Sequence, residues 1–189
     1  MDRPPKVHYL GGQIEVESCI SLRHPRCWNP KSTLKTSREY GAGLGQLTKA
    51  YRADGTIRFD ALSEIRRTHM KELHELTWSN ILNRPDLQVR AILLKMKDNY
   101  LYYSKYTKDP YTFALVSYNG GVGGLDKDRR ACTLSSSCDP SIWYGNVENY
   151  CMKSKTALYG NRSACDINRH YPYEISYVRS SKYKKYLLP

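Results

Sequence analysis

Apolar positions along this chain recur mostly at helical spacing. Ile14, Val16 and Ile20 predict a short helix from about Gln13 to Leu22, with Glu17 near its C-terminal half. From Arg23 to Tyr40 the periodicity gives way to Pro25, Pro30, Ser32, Thr33 and Ser37. That composition predicts a long loop, kept ordered by Cys27 and Trp28. A second helix is expected from near Phe59, where Leu62, Ile65, His69, Leu73 and Leu76 follow at helical spacing. Pro85-Asp86 suits a first helical turn, since the missing N–H costs nothing there and the carboxylate meets the helix dipole. Val89, Ile92, Leu93, Met96 and Tyr100 then share one face, marking a buried central helix. Asp109-Pro110 repeats the start signal, and the helix through Phe113, Leu115 and Tyr118 is expected to stop at Asn119-Gly120-Gly121. Gly41 to Gly45 holds three glycines in five positions, which lets the backbone approach a ligand or another segment closely.

No repeat, heptad or linker divides the chain. The expectation is one mainly α domain over 1–189, with residues 1–12 as an N-terminal extension and 180–189 as a basic tail. A length of 189 residues supports one core without help from metal or disulfides. No run approaches the ~18 apolar residues of a membrane span. Met1 to Lys6 lacks the apolar stretch of a secretory signal, so synthesis in the cytoplasm without such a signal is expected.

A net charge of +12 favours a polyanionic partner: nucleic acid, anionic membrane, lipopolysaccharide or peptidoglycan. Charge alone does not choose among them, and a solvated basic surface is the bland alternative. The six cysteines narrow the setting. Cys19 lies near Cys27 and Cys132 near Cys138, with Cys151 and Cys165 following. Pairing of neighbours would close three short loops, each worth about 2–3 kcal/mol. Reduced thiols remain a rival, as does zinc through His24 and His170, although no Cys-x-x-Cys occurs.

Three distant fragments carry candidate chemistry: Glu17-Ser18, the run GAGLGQLT from Gly41 to Thr48, and SYNGG from Ser117 to Gly121. Together they resemble the lysozyme-like superfamily, specifically the soluble lytic transglycosylase domain and the bacteriophage endolysins built on it. The likeness runs from about Gln13 to the basic tail. It includes Cys27 to Pro30, Ser-Arg-Glu before the glycines, and Asn161 to Asp166. It departs at Gly45, where the family commonly has Met, and at Gly120, where it has Ala. The resemblance implies a lysozyme-like helical domain with a glycan-binding cleft and little or no β-sheet. It also implies cleavage of the β-1,4 bond between N-acetylmuramic acid and N-acetylglucosamine, with no cofactor and no metal.

Such cleavage needs a carboxylic acid to protonate the leaving oxygen. The resemblance gives that role to Glu17, the only Glu followed by Ser; apolar neighbours would hold it protonated. Glu15 is the rival, about 200° away around the helix. Ser18, Gly43, Leu44, Gln46, Tyr118 and Asn119 are the implied substrate contacts, with Tyr150 added through a Glu-Asn-Tyr segment of shifted spacing. Glu39 is the candidate second carboxylate if the enzyme hydrolyses rather than transglycosylates. The implied partner is bacterial peptidoglycan, with lipopolysaccharide or a membrane surface as secondary anionic contacts, no nucleic acid, and a monomeric chain. The implied workplace is the periplasm, reached through a holin or from the virion. A nucleic-acid-binding module and a catalytically dead wall-binding protein are the competing classes.

Overall fold

The computed structural model describes residues 7–187, with nothing stated for the side chains of Leu158, Tyr159 and Leu187. The chain divides into two compact units, one of residues 7–95 with 179–187 and the other of residues 96–178. The parts of the expected extension and tail at 1–6 and 188–189 lie outside the described residues.

The first unit opens with α1 (Val7–Ser18), then a turn-rich stretch. An antiparallel sheet follows: β1 (Thr33–Lys35), β2 (Glu39–Ala42), β3 (Leu47–Tyr51) and β4 (Ile57–Asp60), in that order across the sheet. Next come α2 (Ala61–Thr68), α3 (Met70–Leu73) and the start of α4 (Pro85–Tyr103). Asp60 caps α2 by accepting from the Ser63 N–H at 2.9 Å, a standard N-terminal device. Ala42 and Leu47 from the sheet pack with Leu62, Ile65, Leu73, Leu76, Ile81 and Leu87 to form the core.

The second unit holds the end of α4, α5 (Pro110–Gly120), α6 (Val122–Thr133), a two-stranded ribbon of β5 (Ala157–Tyr159) and β6 (Arg162–Ser163), and α7 (Ala164–Tyr173). Its core joins Tyr103, Phe113, Val116, Leu125, Trp143 and Val147. Asp109 caps α5 and Gly121, at φ 76°, ends it, as the sequence predicts. Asp128 is fully buried, accepting from Met152 N at 2.8 Å and pairing with Arg169 at 2.9 Å and Lys153 at 3.3 Å.

The mainly helical expectation holds, but the sheet corrects "little or no β-sheet". Its strands are three to five residues long, too short for alternation to stand out. The first helix begins at Val7 and ends at Ser18, rather than running from Gln13 to Leu22. Gly11 and Gly12 mask it, because glycine weakens a helix. The reason for Gly11 is contact: a Cβ there would lie 2.6 Å from the Tyr183 ring. Ile20, expected inside, is 71% exposed beyond the helix end. On α4 the buried stripe includes polar Gln88 and Asn99, and Leu93 faces solvent. The described residues of the expected tail are ordered: the 3-10 turn Ser180–Tyr183 and α8 (Lys184–Leu187) pack on α1.

All six cysteines pair with their neighbours, as Cys19–Cys27, Cys132–Cys138 and Cys151–Cys165. Each bridge spans 14 residues or fewer, so each fixes a local turn rather than tying distant elements.

Candidate functional site

Glu17 is the penultimate residue of α1 and is half-buried. Its carboxylate acts on Lys95, a half-buried side chain on α4, and Glu64 on α2 acts on the same ammonium. Burial pushes the Lys95 ammonium down from its ordinary value, against the pull of Glu17 and then Glu64. Glu64 is itself pushed up by partial burial, which outweighs the attraction of Lys95 and Arg67. The sequence predicts apolar surroundings for Glu17. The structure adds a cation on α4 whose own charge is disfavoured by burial.

Ser18 is 2% exposed, and its hydroxyl is engaged inside the fold. It donates to Ile14 O at 2.7 Å and accepts from the Trp28 N–H at 3.1 Å. Ser18 thus fastens the loop after the helix, beside the Cys19–Cys27 bridge.

The glycine-rich run forms the end of β2, a four-residue turn and the start of β3. Gly43 at φ 76° and Gln46 at φ 41° make the turn left-handed at two points, a backbone region that is costly for any residue but glycine. The expected freedom of approach is used by the protein's own glutamines. A Cβ on Gly43 would lie 2.5 Å from Gln88, and one on Gly41 would lie 2.8 Å from the Gln46 Oε1. Gln88, 2% exposed, accepts from the Leu44 N–H at 2.8 Å and donates to Pro30 O at 2.9 Å and to Ile81 O. This single amide joins the turn, the preceding loop and α4.

The Gln46 Nε2 donates to Gly43 O at 2.8 Å and Ser32 O at 3.3 Å. Its Oε1 is buried with no hydrogen-bond partner among the described residues, a state that costs about 1–3 kcal/mol if left unmade. Glu39 opens β2 opposite Ala50, and Gly41 pairs with Thr48. Strand alternation puts Glu39, Gly41, Thr48 and Ala50 on one face. Tyr40, Ala42 and Leu47 lie on the other, Ala42 and Leu47 in the core cluster and Tyr40 packed against it.

Tyr118, Asn119 and Tyr150 belong to the second unit. Tyr118 is 6% exposed in the last turns of α5. Asn119 is exposed, and its Oδ1 accepts from the Asn168 Nδ2 at 3.0 Å. Tyr150 closes the 3-10 turn Val147–Asn149 and packs on the Trp143 cluster.

Sequence reasoning misses Gln88 and Lys95, and it names Glu15 only as a rival acid rather than as an anchor. Glu15 is 1% exposed and holds the C-terminal segment, accepting from Arg179 at 2.9 Å, Lys182 at 3.0 Å and Tyr183 Oη at 2.7 Å. Tyr183 Oη accepts in turn from the Trp28 Nε1 at 3.0 Å. Burial alone would raise the Glu15 pKa, but these hydrogen bonds hold it below the ordinary carboxylate value. The one signal for this clasp in the sequence is a run of basic and tyrosine residues near the end of the chain.

No protein-family model matches the chain, and neither curated proteins nor solved structures contain a significant match.

Proposed function

We propose that the chain is a peptidoglycan-cleaving enzyme of the lytic transglycosylase type, with Glu17 as general acid and then base. The observation that carries this reading is the setting of Glu17: a half-buried carboxyl at a helix end, facing a lysine whose positive charge is penalised by burial. Glu17 and Lys95 favour each other's charged forms, so in the proposed enzyme burial of the carboxyl beneath bound glycan would offset the lysine and hold the proton.

In the proposed step, Glu17 protonates the glycosidic oxygen, the bond to the muramyl C1 breaks, and the acetamido group of the sugar steadies the cation. The Glu17 carboxylate then takes the proton from the C6 hydroxyl as that oxygen bonds to C1, leaving a 1,6-anhydro end without consuming water. The Gly43–Gln46 turn would wall the glycan. Tyr118 and Asn119 enter the reading through the family resemblance. The three short-range disulfides favour an oxidising workplace such as the periplasm, and the +12 charge favours an anionic wall.

Glu39 on the same sheet face as Gly41 supports a second reading, hydrolysis of the same bond by an activated water. One experiment separates them. Mass spectrometry of sugars released from sacculi should show anhydro ends; reducing ends would transfer the assignment to a hydrolytic muramidase. Glu17→Gln should abolish release while leaving the fold unchanged, and full activity in that variant would end both readings.

A further inference from the structure

A groove of about 310 Å³ in the second unit is built from α4, α6 and the loop after α6. That volume is at the low end for small-molecule sites, enough for one or two sugar rings. Tyr102 stands in the last turn of α4 and Tyr106 in the turn that follows it, and the turn brings their rings together. The rings meet edge-on at 5.7 Å, yet they are 41% and 52% exposed. Opposite them, α6 supplies Asp126, Arg129 and Arg130.

The polar groups are held in place before any ligand arrives. Asp126 accepts from Tyr102 Oη at 3.0 Å and Tyr103 Oη at 3.2 Å, which pushes the Tyr102 hydroxyl up from its ordinary pKa. The Arg129 guanidinium lies 5.9 Å from the Tyr106 ring centre, and its Nε donates to Pro140 O at 3.1 Å. Pro140 lies two residues after Cys138, which is bonded to Cys132, so the bridge steadies that wall. Exposed aromatic faces beside a fixed carboxylate and two guanidinium groups match a pyranose, with its apolar ring face and its rim of hydroxyls. Arg130, which is exposed, adds a charge suited to a carboxylate on the same chain.

The geometry points to this groove as a second glycan-binding site, one that takes an N-acetylated amino sugar of a carboxylate-bearing wall strand. It rests on the wall-cleaving reading for the identity of the glycan, but not on Glu17 for binding. The test is co-sedimentation of the full chain carrying Glu17→Gln with purified sacculi, so that turnover does not consume the ligand. Adding Tyr106→Ala should weaken binding about tenfold, Tyr106→Phe should restore it, and Arg130→Ala should weaken it about threefold and flatten its salt dependence.

Unchanged binding after Tyr106→Ala overturns the site. So does binding that follows Arg130→Ala alone, which is charge adhesion without a sugar seat, and so does a Glu17→Gln parent that binds no sacculi. Since Tyr106 is exposed, thermal melting should be unaffected by its replacement; a lower melting point with unchanged binding would make the groove a structural ion-pair cluster only. If binding falls as expected while the wild-type chain releases no sugar, the groove stands and the enzymatic reading falls.

Discussion

Glu15 and Glu17 sit two residues apart on one helix, and the two sides of α1 treat them oppositely. The Glu15 side is closed: three donors from the C-terminal segment satisfy the carboxylate, and Gly11 leaves room for the Tyr183 ring. On the Glu17 side a half-buried carboxyl faces a lysine that resists its own charge. A satisfied carboxylate contributes stability and has little left to give a substrate. A carboxylate beside a half-buried cation is less fully tied down in the proposed reading. The same residue type therefore divides by its neighbours into an anchor, Glu15, and the proposed reagent, Glu17.

Replacing each acid by its amide should break that symmetry most sharply. Glu17→Gln is expected to lower wall-lytic turnover by about 1000-fold, with the denaturant midpoint unchanged. Glu15→Gln should do the reverse, costing about 2 kcal/mol through weakened charge-assisted hydrogen bonds, measured as a lower urea midpoint. A Glu17 variant that melts early but keeps activity would exchange the two roles.

Lys95→Met sharpens the contrast. Removing the cation that faces Glu17 should move the activity limb governed by that carboxyl about one pH unit upward. Glu15→Gln should leave this limb where it is. An unmoved limb in Lys95→Met would detach the lysine from the chemistry.

The smallest effects are read from stability against pH. The Glu15 carboxyl is held below its unfolded value of 4.5, so its contribution is present above that pH and fades as pH falls through the lower folded value. Tyr183 is pushed up to about 12, by burial and then by its bond to Glu15. Its contribution is full below its unfolded value of 10.0 and fades as pH rises toward 12. Tyr183→Phe should reduce the alkaline loss, leaving the part that belongs to the likewise raised Tyr102 and Tyr103, read from melting temperatures across that range.

Local signals in the sequence are legible because their causes are local. Asp109-Pro110 and Gly121 bracket α5, and Pro85 starts α4, since capping and proline geometry act within one turn. The neighbouring cysteines also pair as their spacing suggests. The sheet is less legible because β1 to β4 are short and interrupted by glycine and polar residues. α6 is hidden by Gly123-Gly124 and a run of charges, with only Leu125, Asp128 and Cys132 buried.

The candidate region is legible as residue types but not as contacts. The glycines of the β2–β3 turn suggest room for a ligand, whereas Gln88 and Gln46 fill the space at Gly43 and Gly41. Gln88 has the composition of a surface residue on a helix, and only the fold reveals it as a junction. Glu15 is equally opaque, since 164 residues separate it from Arg179.

That separation has a consequence for biosynthesis. A ribosome completes α1 well before the donors that close over Glu15, the first of which lies 164 residues further on. Until then the helix bearing the proposed acid has an unclosed flank, and the first unit lacks its last pieces. Full assembly of this region thus waits until residues 179–183 have emerged, so fragments that stop short of them would lack the clasp that seats α1.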